Sequence, residues 1–90
     1  MKKARIIYAN GTEKEISPKN GKDFQLEELQ KIVEGYIEVL PIHDGEIMIM
    51  NEEGKINGLP INKKATEIVS DIVCDVIVGN VLICNSKMLK

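Results

Sequence analysis

The residues with the clearest potential to bind a ligand lie in the stretch NGLPIN and in the basic pair that follows it. Asn62 is well placed to begin a helix, so Lys63 and Lys64 would lie in its first turn. A lysine there is mildly unfavourable, by about 0.3 to 1 kcal/mol, because the helix dipole favours anions at this end. Free backbone amides beside two ammonium groups are the ingredients of a phosphate or carboxylate site. The pattern therefore favours an anion-binding site at the start of this helix.

The same stretch also has a purely structural interpretation. Asn57 and Gly58 would turn the chain, and the proline would hold Leu59 in an extended geometry. Asn62 would cap the helix by accepting a hydrogen bond from the amide of Ala65, a contact worth about 1 kcal/mol. The two lysines would then serve solubility or intersubunit pairing, and both interpretations stay open. The candidate ligand-binding residues are Tyr36, Glu38, Asn57, Gly58, Leu59, Pro60, Asn62, Lys63 and Lys64.

Other residues with chemical potential give weaker patterns. His43 could act as a general base, but beside Asp44 in an apparent loop its commoner role is to stabilise a turn. Cys84 could act as a thiol nucleophile, yet a cysteine within an apolar strand is usually inert. The chain has no phosphate-binding G-x-x-x-x-G-K-[ST] motif, no H-E-x-x-H and no dinucleotide fingerprint. We therefore expect a protein that is not an enzyme and has no cofactor.

The cysteine and histidine content also argues against a metal site. Cys74 and Cys84 stand without an export signal, so we expect small buried apolar groups in a reducing compartment rather than a disulfide. A closed zinc site usually needs four ligands, and the chain has a single histidine besides these two cysteines. A structural metal is not expected.

Composition limits the classes of partner. Ninety residues, 43% hydrophobic and 29% charged, predict one globular domain over residues 1–90 with an aliphatic core, because only three residues are aromatic. The net charge of −2 and the single arginine, Arg5, make nucleic-acid binding unlikely. The basic amino end, Met1–Arg5, is followed by no apolar run long enough for a signal peptide or a membrane span. We expect a cytoplasmic protein with no membrane partner.

The amino-terminal third predicts a hairpin followed by a helix. Strands over Ala4–Ala9 and Thr12–Ile16 would be joined by Asn10 and Gly11 in a type I′ turn, in which both residues have positive φ. After a loop, a helix is predicted over roughly residues 25 to 34, with Gly35 as its left-handed stop. The apolar side of this helix is formed by Leu26, Leu29, Ile32, Val33 and Tyr36.

The middle of the chain predicts a second hairpin. Strands over Tyr36–Ile42 and Glu46–Asn51 flank a short loop that contains Gly45. The segment Ile47–Met50 is apolar on both faces, which indicates an inner strand covered on two sides or a strand paired with another subunit. In the second case, the segment around Met48 and Met50 would form a self-association surface and the protein would be a homodimer.

The remaining segment predicts a helix and a last strand. A buried stripe at helical spacing, ending at Cys74-Asp75, is formed by Ala65, Ile68, Val69, Ile72 and Val73. Within Val76–Cys84, Gly79 and Asn80 indicate either a tight hairpin turn or a break before one strand, and we favour the break. The order β-β-α-β-β-α-β predicts an α+β domain with the helices packed on one side of a mainly antiparallel sheet.

Three stretches, LEELQKIVEGYIEVL, NEEGKINGLPINKKAT and VIVGNVLIC, resemble an uncharacterised family of small proteins from Firmicutes and other bacteria, phages and conjugative elements. The resemblance is strongest at the motifs GYIE, NEEG, GLPxN and VGNVLI. The family is defined by a domain of unknown function, so it implies no reaction, substrate or catalytic residue. Its members often have arginine where this chain has Lys63 and Lys64, and lysine lacks the bidentate geometry of arginine. The resemblance does imply a phage or mobile-element setting, in which small proteins often bind a host factor or sequester a ligand.

Two functional hypotheses follow. The first is a non-enzymatic accessory protein of a phage or mobile element that binds a host protein or acts as an adaptor. The second is a module that sequesters a small anionic ligand, nucleotide-like or phosphate-bearing, at the start of the second helix near Tyr36 and Glu38. Weak nucleic-acid binding is a third possibility, and it would be steeply dependent on salt.

Overall fold

The helices and strands follow one another in the order that the sequence predicts. A computed structural model describes residues 4–89, so Met1–Lys3 of the basic amino end and Lys90 lie outside the described residues. Within residues 4–89 the elements are β1 (Ala4–Ile7), β2 (Glu13–Ile16), α1 (Leu26–Val33), β3 (Ile37–Pro41), β4 (Glu46–Asn51), α2 (Lys63–Ile68) and β5 (Val81–Asn85), followed by a 3₁₀ turn (Ser86–Met88). This is the order β-β-α-β-β-α-β, and the predicted α+β class is confirmed.

The described strands form one antiparallel sheet in the order β2-β1-β5-β4-β3. The last strand, β5, pairs with β1 on one side and with β4 on the other, so it joins the two hairpins into a single sheet. Its four apolar residues, Val81 to Cys84, are all buried, as expected of a strand with neighbours on both sides and cover on both faces. The predicted break before β5 is confirmed.

The two helices pack on opposite faces of the sheet, so the expectation that both lie on one side is wrong. On the α1 face, Leu29 and Val33 pack in a cluster with Ile47 and Ile49 of β4. On the α2 face, Ala65 belongs to a second cluster. Because side chains alternate along a strand, a strand that is apolar at every position serves two cores.

The strand β4 is therefore an inner strand. Met48 is fully buried and Met50 is 9% exposed, and both lie in the cluster on the α2 face. The predicted self-association surface around these methionines is wrong, because β3 and β5 flank the strand and a helix lies over each face. The other interpretation of this segment, an inner strand covered on two sides, is confirmed.

The first helix has nearly the predicted bounds. The carboxylate of Glu28 accepts a hydrogen bond from the amide of Gln25 at 2.8 Å, which is one half of a capping box. The helix ends at Glu34, which has the left-handed conformation with φ 65° that we expected of Gly35. Gly35 has another role, since a Cβ at this position would stand 2.7 Å from the side-chain nitrogen of Asn51.

The second helix is shorter than predicted. Only six residues, Lys63–Ile68, are α-helical, and the chain continues through turns to Val73. Of the predicted apolar stripe, Ala65 and Val69 are buried, whereas Ile72 is exposed. The helical spacing of these residues did not reveal that the α-helix would end after six residues.

The type I′ geometry that the sequence predicted for the first hairpin turn occurs in the second. Asn10 does not have positive φ, and the amide of Tyr8 bonds to the carbonyl of Thr12 around a three-residue loop with Gly11 at φ 95°. The predicted type I′ turn is therefore wrong at that site. In the second hairpin, Asp44 and Gly45 have φ 58° and 76°, the pair of positive values that a type I′ turn requires.

Candidate functional site

A groove of about 260 Å³ lies on the α2 face of the sheet, at the β3 edge. Its floor is formed by Glu38 and Leu40 of β3 together with Met50 of β4, which is the cross-strand partner of Glu38. One wall is the turn at residues 51–56, and the other is the segment at residues 73–78. We call this surface the β3 groove.

The β3 groove is acidic. Its charged lining residues are Glu38, Glu52, Glu53, Lys55 and Asp75. Lys55 forms an ion pair with Asp75 across the groove, and this ammonium group, with help from the amide of Val76, lowers the pKa of the Asp75 carboxyl. Because that pair neutralises itself, three carboxylates determine the charge of the groove. None of the three forms an ion pair with a residue in the range 4–89 that the structure describes.

The same groove also has apolar surface on its floor, its walls and its rim. Leu40, Met50 and Ile77 supply aliphatic and thioether surface beside the carboxylates. At the rim, Ile56 is 83% exposed and Val76 is also exposed. The apolar surface of these two side chains leaves water only when a partner covers it. An acidic surface with apolar anchors can hold a cationic side chain and the aliphatic groups around it.

Close packing of glycines against aliphatic side chains fixes the walls of the groove. A Cβ at Gly54 would stand 2.7 Å from Cγ2 of Val78, and a Cβ at Gly79 would stand 2.8 Å from Cδ1 of Leu59. The amide of Gly79 donates to the carbonyl of Pro60 at 2.7 Å, so these two segments run side by side. The motifs NEEG, GLPxN and VGNVLI therefore meet in space, although VGNVLI lies well after the other two in the sequence.

Two buried asparagines hold the same region together. The side-chain nitrogen of Asn51 donates to the carbonyl of Val33, and its oxygen accepts from the amide of Glu53 at 2.8 Å. The side-chain nitrogen of Asn62 donates to the carbonyls of Ile7 and Gly79, both at 2.9 Å. In the described part of the chain, every buried side-chain nitrogen or oxygen has a hydrogen-bond partner. These asparagines are thus satisfied structural groups that join loops to the sheet.

Of the candidate site residues, only Glu38 lines the β3 groove. Tyr36 is 67% exposed and precedes β3, where its carbonyl accepts from the amide of Glu52 at 2.9 Å. Asn57, Gly58 and Pro60 are exposed, whereas Leu59 is partly buried against Gly79. The structure therefore does not gather the predicted residues around one cavity, and the groove residues Glu52, Glu53, Lys55, Asp75 and Ile77 were absent from the prediction.

The start of α2 has the structural role that the sequence also allowed. The side-chain oxygen of Asn62 accepts from the amide of Ala65 at 3.0 Å, which confirms the predicted N-cap. The backbone carbonyl of Asn62 accepts from the amide of Thr66. Lys64 forms an ion pair with Glu13 at 2.7 Å, and this contact and Arg5 lower the pKa of the Glu13 carboxyl. Lys63 is exposed. These contacts favour a helix-capping role for this stretch over an anion-binding role. The anion site stays a prediction.

His43, Cys74 and Cys84 differ in their exposure and in their contacts. Nε2 of His43 lies 3.2 Å from the carboxylate of Asp71, at an exposed site, so its partner is not the neighbouring Asp44. Cys84 is buried in β5, where burial and then the charge of Glu46 raise the pKa of its thiol to about 11. Such a thiol has little thiolate at neutral pH and is a poor nucleophile. Both cysteines are free, but Cys74 is exposed, so the expectation of a buried apolar group is wrong for Cys74.

The described residues contain no group of three or more histidine, cysteine, aspartate or glutamate side chains that could hold a metal ion. Neither α1 nor α2, the helices within residues 4–89, has the length and apolar character needed to cross a membrane.

The outer edge of β3 is a feature that sequence reasoning missed. The carbonyl of Tyr36 accepts from the amide of Glu52, and the amide of Ile42 donates to the carbonyl of Glu46. In an antiparallel pair, every second residue of a strand bonds to the same neighbour. The even-numbered residues of β3 therefore bond to β4. The backbone groups of Ile37 and Val39 therefore point away from the sheet. In the described chain no strand pairs with this side of β3. Pro41 has no amide to leave unpaired there.

Comparison with known proteins gives a family and no assigned activity. No curated protein and no solved structure shows a significant match to this chain. One family model matches residues 2–88, which is nearly the whole chain, and its description is a domain of unknown function, DUF3846. The chain therefore belongs to the DUF3846 family.

Proposed function

We propose that this protein is a non-enzymatic accessory protein, of the kind encoded by phages and mobile elements, that binds a host protein through the β3 groove. The observation that carries the proposal is the position of this groove beside an unpaired sheet edge. A concave surface with apolar floor and rim and a few polar groups is the usual form of a recognition site. An open strand edge adds a row of backbone donors and acceptors.

Several contacts support a binding role over a catalytic one. Among the described residues that line the groove there is no histidine, cysteine, serine or threonine, and the buried thiol of Cys84 lies on the other face of the sheet, in the α1 cluster. The carboxylates of Glu38, Glu52 and Glu53 are exposed, so they can form ion pairs with a partner without a large desolvation cost. An acidic surface of this type raises the association rate of a basic partner.

Photo-crosslinking in host cells tests the proposal. A photoreactive phenylalanine analogue at Ile56, on the groove rim, should crosslink to a discrete host protein. The matched control is the same analogue at Leu26, an exposed apolar residue of α1 on the opposite face, and it should give no such product. Loss of the Ile56 product in a Glu38→Lys background would confirm that the groove is used. Equal products from both positions, or none from Ile56, would contradict the proposal.

A further inference from the structure

We propose that the partner segment, if the proposed binding function holds, is an extended peptide with alternating basic and apolar residues that pairs with β3 as a sixth strand. Backbone hydrogen bonds along β3 provide the affinity, and the β3 groove determines which side chains of the peptide are preferred.

The two edges of the sheet differ in how they receive another strand. The edge strand β2 has three charged residues in succession, Glu13, Lys14 and Glu15, which is a common defence against unwanted pairing. The edge strand β3 has a single charged residue, Glu38. Outward backbone groups at Ile37 and Val39 give β3 two donors and two acceptors in the spacing of an antiparallel or parallel partner. The edge β3 is thus the one that can accept a strand.

The side chains of an added strand would alternate between two different surfaces. Glu38 and Leu40 point to the α2 face and line the groove, whereas Ile37 packs with the cluster on the α1 face. Directly opposite residues of neighbouring strands have Cβ atoms about 4.5 to 5.5 Å apart, so a lysine beside Glu38 would reach its carboxylate. A residue beside Val39, which is 38% exposed, would cover apolar surface instead.

Charge argues against a second copy of this chain as the strand that pairs with β3. Pairing β3 with the β3 of another copy would bring the unpaired carboxylates of both grooves, from Glu38, Glu52 and Glu53, to one junction. Like charges across a strand pair are destabilising, and Lys55, the only lysine among the described residues that line the groove, already pairs with Asp75. A basic segment of a different protein has the complementary charge and therefore is the occupant that the groove favours.

Synthetic peptides test the inference on the whole protein. The probe is a short, capped peptide in which lysine and valine alternate. It should bind with chemical-shift changes along β3 and with slower hydrogen exchange at the amides of Ile37 and Val39. Glu38→Lys should weaken binding about tenfold, because an attractive pair becomes repulsive. The matched control Glu27→Lys makes the same charge change on α1 and should alter affinity by about twofold or less.

Three further peptides complete the test. A glutamate-valine peptide, a lysine-valine peptide with the residues in two blocks, and an alternating peptide with N-methylated valines should each bind at least about tenfold more weakly. Equal binding of the block or N-methylated peptide would overturn strand addition, and equal binding of the acidic peptide would overturn the charge preference. If no peptide binds while the Ile56 crosslink persists, this inference fails and the proposed function stands. If the crosslink is also absent, both fail.

Discussion

The side-chain nitrogen of Asn62 donates to the backbone carbonyl of Gly79 at 2.9 Å, and this bond joins the start of α2 to the segment that enters β5. The same nitrogen reaches the carbonyl of Ile7 at the end of β1. Its oxygen caps the helix at Ala65. One fully buried side chain thus connects α2, β1 and the approach to β5, which are distant in sequence.

Replacement of Asn62 by alanine should destabilise the protein by about 3 kcal/mol. The variant loses a cap worth about 1 kcal/mol and leaves two buried carbonyls without their partner. Urea unfolding followed by circular dichroism measures the change. Asn57→Ala, at an exposed position of the same motif, is the control and should change the free energy of unfolding by less than about 0.5 kcal/mol. Similar values for the two variants would contradict the structural role of Asn62.

The glycines of the motifs should separate into two classes. Gly58 and Gly79 both have positive φ, at 69° and 77°, but open space surrounds Gly58 whereas Gly79 lies against Leu59. Gly58→Ala should therefore cost about 1 kcal/mol through backbone strain alone. Gly79→Ala should cost about 2 to 4 kcal/mol, because an overpacking term is added. Equal costs in denaturant unfolding would show that the contact with Leu59 relaxes freely.

The predictable parts of this fold are those set by local pattern. Helix α1 has a capping residue, an apolar stripe and acidic residues in its first turn, and these place it within a residue of its predicted bounds. The cap at Asn62 was also predictable, because asparagine before a helical stripe has a direct local bond to make. The apolar run Ile47–Met50 within β4 predicted either cover on two faces or pairing with another subunit, and the first is found. All of these depend on residues that are close in the sequence.

The parts that were missed depend on tertiary packing. Asn10-Gly11 was the better candidate for a type I′ turn by composition, yet that geometry occurs at Asp44 and Gly45. The β3 groove was missed because its walls come from residues 51–56 and 73–78, and no spacing in the sequence shows that these segments meet. Glycines at 54 and 79 were the available signal, since a residue without a Cβ permits close approach of another segment.

Two surface carboxyls should titrate below their ordinary values. Lys55 lowers the pKa of Asp75 from an ordinary value of 3.8, and Lys64 lowers the pKa of Glu13 from 4.5. Each pair therefore stabilises the fold above the ordinary pKa, and that contribution is lost as the pH falls through the lowered value. Carboxyl-carbon NMR measures the midpoints. Lys55→Ala should raise only the Asp75 midpoint, and Lys64→Ala only that of Glu13. Unchanged midpoints would contradict these ion pairs in solution.

Inorganic phosphate should not bind at the start of α2. Two of the amides that an anion would need are already used, because the amide of Asn62 donates to the carbonyl of Ile77 and the amide of Ala65 donates to the side-chain oxygen of Asn62. Lys64 is paired with Glu13. Titration with millimolar phosphate should therefore leave the amide signals of Asn62 to Thr66 unchanged at constant ionic strength. Sodium chloride at matched ionic strength is the control for screening. A saturable shift that disappears in a Lys63→Glu, Lys64→Glu double variant would reverse this expectation and restore the anion-binding hypothesis.

The two thiols should react with a thiol reagent at very different rates. Cys74 is exposed, whereas Cys84 is buried in β5 and burial raises the pKa of its thiol to about 11. Because the thiolate is the reactive form, labelling at neutral pH should modify Cys74 quickly and Cys84 only through unfolded or locally opened molecules. The variant Cys74→Ser isolates the slow thiol, and its labelling rate should rise steeply with urea as the chain unfolds. Because β5 lies between β1 and β4, we expect it to open rarely. Rapid labelling of Cys84 in that variant without urea would show instead that β5 opens readily.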